Sequence, residues 1–388
     1  MNDPKKFHTG RIAIIALTHM VHDTYSAFLA PILPLLIAKF SMSYTLAGFL
    51  SVAQRIPSIL NPFVGLAADR MNPRWFVVLS PAITAITMSL LGVAPHYAFV
   101  VMLLLIMGVS ASMFHVPTPV MVRKDSGNKV GRGMSIYMLG GELARSLGPL
   151  TILGAVSLWG LEGSWRVLPV GILTSIVLHF VLDNTPMPRS TKHKKAVDSF
   201  RDLKRYRNFF LIVIGMSLFR TLLLGSLTFY LPTYLTSKGS SMWIAGMSLS
   251  ILQFAGAAGT LFCGSISDFI GRKKMLMILS VITPILTWAF ILFNGALTIP
   301  LLIILGFSLF SYNPVLLAMV QELDSDDPAF LNSIYMGLMF IVSSISVLTI
   351  GKLADMIGLE AAYRIAASVG FLTIPFIFML KNDKAQDV

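Results

Sequence analysis

The chain has 388 residues, of which 55% are hydrophobic and only 12% charged, with a mean hydropathy of +0.76; soluble domains usually carry about 25% charged residues, so an ordinary soluble domain is excluded. The formal net charge is +12, but the basic residues fall between apolar segments instead of collecting on one soluble face, so a lipid bilayer and not nucleic acid is the expected surrounding. The one cysteine, Cys263, lies inside an apolar run and excludes an intramolecular disulfide, and no Cys/His cluster has the spacing of a metal site.

A helix needs about 20 apolar residues to cross a hydrocarbon core roughly 30 Å thick. The first such run, 11–38, contains His19, His22 and Asp23, which a short cleavable signal segment would not carry, so it reads as a retained span. His19 and Asp23 are four residues apart and share a helix face, while His22 points elsewhere. An ionisable group at membrane depth is costly unless it faces a partner or a cavity. Asp23 is therefore the first choice for a proton carrier, with His19 and His22 beside it; a structural ion pair locking the span is the other reading.

The second span, 44–68, carries Arg55 and ends in Gly65, Asp69 and Arg70. After a third span at 75–94, the fourth, 97–122, holds His115, which either handles substrate or protons, because imidazole titrates near neutral pH, or packs as a hydrogen-bonded core residue. The fifth, 131–159, places Gly140, Ala144 and Gly148 on one small face that lets another helix approach closely, and Pro149 is expected to bend it. Glu142 and Arg145 in that span are three apart and either neutralise each other or serve protons and substrate. A sixth span covers 165–183.

Residues 184–207, with Pro186, Pro188 and a run of Lys and Arg, read as a cytoplasmic linker. Beyond it come spans at 208–236, 241–266, 274–294, 298–321, 329–354 and 361–380. Arg220 in the seventh is a cation with no acid nearby in its own span, and a forked guanidinium suits a carboxylate or phosphonate. Gln253 in the eighth and Asn313 in the tenth are neutral hydrogen-bonders, either toward substrate or between helices. Glu322 closes the tenth span and reads as part of a gate, as a proton-coupling acid or as a solvated end.

Lys and Arg concentrate in alternate loops, which places both termini in the cytoplasm of an inner-membrane protein. The chain also repeats itself. Gly65 and Asp69 recur as Gly264 and Asp268, both 199 residues on, the second pair followed by Arg272; Trp165 and Arg166 have a counterpart in Tyr363 and Arg364. The expected organisation is a bundle at 1–183, the linker 184–207 and a second bundle at 208–388.

The pattern at Gly65, Asp69 and Arg70, repeated at Gly264, Asp268 and Arg272, resembles the signature loop of the major facilitator superfamily, although the first copy has Asn72 and Pro73 where a glycine is usual. Phe114, His115 and Pro117, Gly140, Gly141, Gly148 and Pro149, Gln321 to Leu323, and Gly351 to Gly358 resemble the fosmidomycin-resistance-type exporters of that superfamily. The resemblance implies an all-α membrane protein of twelve transmembrane helices in two pseudo-symmetric six-helix bundles. It also implies secondary active transport by alternating access, with the signature loops as a cytoplasmic gate and a small, anionic compound or drug leaving against entering protons. Uptake by proton symport on the same scaffold is the alternative. A membrane enzyme or a channel is disfavoured, since no catalytic or phosphate-cradling motif is present. The expected partners are a small-molecule substrate, protons and the bilayer, with the monomer as the working form and neither cofactor nor metal.

Overall fold

The computed structural model of the chain describes residues 7–61, 64, 73–127, 130–182, 203–293, 295–323 and 328–380. Sixteen α-helices are used here: α1 Thr9–Ser26, α2 Leu29–Phe40, α3 Tyr44–Arg55, α4 Pro73–Ser89, α5 Tyr97–His115, α6 Thr118–Asp125, α7 Val130–Gly163, α8 Leu168–Val181, α9 Arg207–Thr228, α10 Leu231–Ser237, α11 Met242–Ile270, α12 Arg272–Leu292, α13 Thr298–Gln321, α14 Pro328–Ile357, α15 Leu359–Gly370 and α16 Thr373–Met379. Among the described residues, nine stretches are helical, apolar and long enough to cross a membrane, and the longest, Arg132–Val181, holds two spans. With α3 and the shorter apolar helix Arg74–Ser89, these make up the twelve-helix architecture. Large apolar side chains lie on the outside, Phe269 at 87% exposure and Phe180 at 80%; in water such surfaces would associate, and in a bilayer they meet lipid tails.

Five spans that read as single runs are broken among the described residues, the second where its α-helix ends at Arg55 and a 3-10 turn, Ile56–Leu60, follows. The first divides at Ala27–Phe28 into α1 and α2, and the seventh at Phe229–Tyr230 into α9 and α10. Pro31 and Pro232 sit just inside the following helices, where a missing backbone donor is tolerated, while the ring obstructs helix continuing from the residues before it. The fourth divides at Val116–Pro117 for the same reason, and the twelfth at Phe371–Leu372. Pro149, by contrast, does not interrupt α7; the one non-helical backbone inside that helix is at Gly160, whose φ of +71° favours glycine.

The chain divides into two compact units. The first comprises Met1–Met42, Phe49–Thr191 and Leu235–Ser250. In it α1 packs along α7, and α4 packs against α5 and α8. The predicted small face of α7 is what permits the first contact: a Cβ on Gly140 would fall 2.3 Å from the Ala16 carbonyl oxygen, and one on Gly148 would fall 2.5 Å from the Ala27 Cβ. Ile15, Val77, Phe114, Val122, Tyr137 and Leu178 form a buried core around that seam.

The second unit comprises Ser43–Gly48, Lys192–Tyr234 and Ile251–Val388. There α9 packs along α14, and α12 packs against α13, α15 and α16, so the internal repeat seen in sequence is also a repeat of helix pairing. Its core gathers Phe210, Met216, Leu279, Tyr312, Val315 and Leu331. At one edge of this unit the Asp355 carboxylate accepts from the Tyr44 amide (2.6 Å), the Thr45 amide (2.9 Å) and the Thr45 hydroxyl (2.5 Å), capping the first turn of α3.

Candidate functional site

The densest collection of ionisable groups in the first unit lies where α1 meets the end of α5. Helical spacing puts His19 and Asp23 on one face of α1, and the His19 Nε2 lies 3.2 Å from Asp23 Oδ2. His22 turns back onto the same carboxylate, its Nδ1 2.9 Å from Oδ1. His115 ends α5 immediately before the Pro117 break and brings its Nε2 to 3.1 Å from Oδ1. Three histidines thus converge on one acid. His19 and His22 are buried, Asp23 is nearly so, and the His115 side chain is 40% exposed, so the cluster opens at His115.

Aromatic rings hold the imidazoles in place. Tyr137 of α7 stacks on His19 with centroids 4.1 Å apart, and Phe114 stacks on His22 at 4.6 Å. Gly141 leaves space for the His19 ring, since a Cβ there would fall 2.6 Å from its Cε1.

Proton accounting makes His19 unusual. Its Nδ1 lies 2.8 Å from the Tyr137 backbone carbonyl, which only accepts, so Nδ1 carries the proton. A neutral ring then turns a bare lone pair toward the Asp23 carboxylate. One additional proton, or another cation between Nε2 and Oδ2, removes that repulsion. His22 is in the same position. Its Nε2 lies 3.0 Å from the Thr84 hydroxyl, which is 2.8 Å from the Ser110 hydroxyl, which in turn donates to the Ser80 carbonyl at 2.9 Å. With the Ser110 proton committed to Ser80, the Thr84 hydroxyl donates to Ser110 and accepts from His22 Nε2–H, so the relay fixes that tautomer and a neutral His22 also turns a bare Nδ1 toward Asp23.

Other sequence-singled residues fall elsewhere. Glu142 and Arg145 form an ion pair within α7. Arg55 closes α3 with an exposed side chain. In the second unit Arg220 is buried; its Nη2 donates to the Leu309 carbonyl at 2.9 Å, and its guanidinium lies 4.4 Å from the centre of the Tyr312 ring. The cavity beside it, lined by Ser280, Tyr312 and Thr373 among others, has a volume of about 10 Å³, room for one water and not for an organic anion. Gln253 is half-buried and Asn313 exposed.

Glu322 accepts from Arg272 at 2.8 Å, and Arg272 also pairs with Asp268. Gly271, with φ +93°, supplies the turn between α11 and α12 that places Arg272 there. Gly264 lies within α11, whereas Gly65, Asp69 and Arg70 lie outside the described residues.

Sequence reasoning found the charged members of the cluster but not Tyr137, Thr84 and Ser110. Neutral hydroxyl residues are ordinary in apolar helices, and nothing in their spacing links them to Asp23. Nor did it find that the cluster has the makings of a cation site: His115 is far from Asp23 in the chain, so no ligand spacing exists to be read.

The Major Facilitator Superfamily family model matches residues 15–328. The chain is 28% identical to the fosmidomycin resistance protein of Escherichia coli (strain K12), an alignment covering 96% of this chain and 93% of that one. Among solved structures, a bacterial homolog of the human lysosomal transporter Spinster, inward-facing and occupied, matches with a TM-score of 0.83 at 13% identity, covering 98% of this chain and 97% of the other. A D-xylose-proton symporter matches with a TM-score of 0.76 at 16% identity, over 99% and 100% of the two chains.

Proposed function

The chain belongs to the Major Facilitator Superfamily and is a multi-pass secondary transporter, not an enzyme; on that premise we propose that it exports a small organic anion or drug in exchange for protons. The observation that carries the coupling half of this reading is His19, held between the Tyr137 carbonyl and the Asp23 carboxylate with one proton too few for both contacts when neutral. A buried acid in that setting is a place for a proton to enter from one side and leave to the other as the protein alternates its access. His115, at the open rim, is the route in, and the Thr84–Ser110 relay holds the His22 Nε2–H so that its Nδ1 also faces Asp23.

Export as the direction is supported by the similarity to the E. coli fosmidomycin resistance protein over nearly the whole chain. An anionic cargo is supported by guanidinium groups within the spans, of which Arg55 is exposed and the Arg145 side chain remains 42% exposed. In this reading the bundles 1–183 and 208–388 move about the linker 184–207. The signature loops, including Asp268, Arg272 and Glu322, gate the cytoplasmic side. The protein sits in the inner membrane as a working monomer with both termini in the cytoplasm.

The test is proton flux in liposomes holding purified protein and an internal pH dye, challenged with phosphonates, small carboxylates and lipophilic drugs. Proton movement opposite to one class of compound is the expected result. Proton movement in the same direction as the compound would make the protein a symporter, and silence across the panel with folded protein would remove the proton-coupled reading.

A further inference from the structure

Beyond transport, we infer that His19, Asp23 and His115 form a binding site for a divalent transition-metal ion of the Zn²⁺ class. His19 Nε2, an Asp23 oxygen and His115 Nε2 all lie within 4.8 Å of one another. Tetrahedral zinc holds nitrogen and oxygen ligands at about 2.0–2.1 Å, which sets neighbouring ligand atoms roughly 3.3 Å apart. Asp23 Oδ2 lies 3.2 Å from His19 Nε2 and Oδ1 lies 3.1 Å from His115 Nε2, so each oxygen is at that spacing from one imidazole and a small movement of His115 closes the set on one ion. Two imidazoles and a carboxylate also match the ligand preference of zinc and leave a fourth position for water, for His22 Nδ1 or for cargo.

The outer contacts are those of a metal site. Ligating histidines usually donate their second N–H to a carbonyl or another oxygen, which fixes the tautomer and aims the lone pair at the metal. His19 Nδ1–H donates to the Tyr137 carbonyl, so its lone pair is aimed at Asp23. His115 Nδ1 faces the Tyr137 hydroxyl at 3.5 Å. His115 is at the exposed rim and provides both an entry path and the freedom to close the last part of the coordination sphere. Arg145 of α7 is paired with Glu142.

The proposal concerns the same cluster as the coupling reading but does not require it, and its test involves neither a gradient nor a substrate. Protein carrying a histidine-free affinity tag is stripped with chelator and titrated with Zn²⁺ by calorimetry, and with Co²⁺ by visible absorption, which reports coordination directly. One ion per chain is expected, with tetrahedral-type Co²⁺ bands. His19→Ala, Asp23→Asn and His115→Ala should each weaken binding by at least roughly tenfold, the scale on which metal sites respond to loss of supporting groups. His96→Gln, outside the cluster, should bind as the parent does. His115→Ala keeps the test decisive if the buried variants fail to fold. Absence of binding to the folded parent at about 100 µM metal, which would put any Kd above that concentration, or binding untouched by His115→Ala, would overturn the site. Failure of proton flux with metal still bound would overturn only the transport reading.

Discussion

His19 bridges two acceptors with a ring that, uncharged, has a single proton to give. Everything at the residue scale follows from how that deficit is filled. Asp23→Asn removes the charge that draws the proton and should lower gradient-driven transport by about 100-fold or more, while exchange of substrate across the membrane without a gradient persists. Gradient-driven flux at the parent rate would place the coupling elsewhere. Gly141→Ala tests the packing that positions the ring. The added Cβ would meet His19 Cε1 at 2.6 Å, and overpacking of this kind costs about 1–3 kcal/mol. A lower melting temperature together with impaired coupling is expected; an unchanged melting temperature would show that His19 moves aside freely.

At the scale of elements, helix ends and helix seams decide what the side chains can do. α1 and α7 approach closely because Gly140 and Gly148 carry no Cβ where Ala16 and Ala27 stand. Gly148→Leu should therefore part the seam and abolish folded, extractable protein, as judged by size-exclusion profile. The first turn of α3 is capped by Asp355 through two amides and a hydroxyl. Loss of a side-chain cap costs about 1 kcal/mol, so Asp355→Ala should lower the melting temperature measurably, with Asp355→Asn falling between it and the parent. Both elements were visible beforehand, the first as a small-residue period and the second as an acid after the eleventh span. The partner that each meets was not, because contact across the fold is set by which helices are neighbours and not by local spacing. Proline behaviour also needed the structure: Pro117 ends a helix while Pro149 lies within one, and the two read alike in sequence.

For the molecule as a whole, hydropathy and the alternation of basic loops make a topological claim that chemistry can check. With Cys263 replaced by Ala, a membrane-impermeant maleimide should label Lys238→Cys from outside spheroplasts, whereas Ser199→Cys in the linker should react only after lysis. The reverse pattern would invert the assigned orientation. Twelve spans and superfamily membership were legible in the sequence. They depend on period, length and charge, which are local properties, and a bilayer admits few ways to satisfy a helical backbone. Only the tertiary structure could bring His115 of α5 to Asp23 of α1, supply Tyr137, Thr84 and Ser110 as their supports, and show Arg220 tied to Leu309 and Tyr312. Those outcomes depend on directions and distances between side chains far apart in the chain, which packing fixes to within a fraction of an ångström and which no spacing along one helix records.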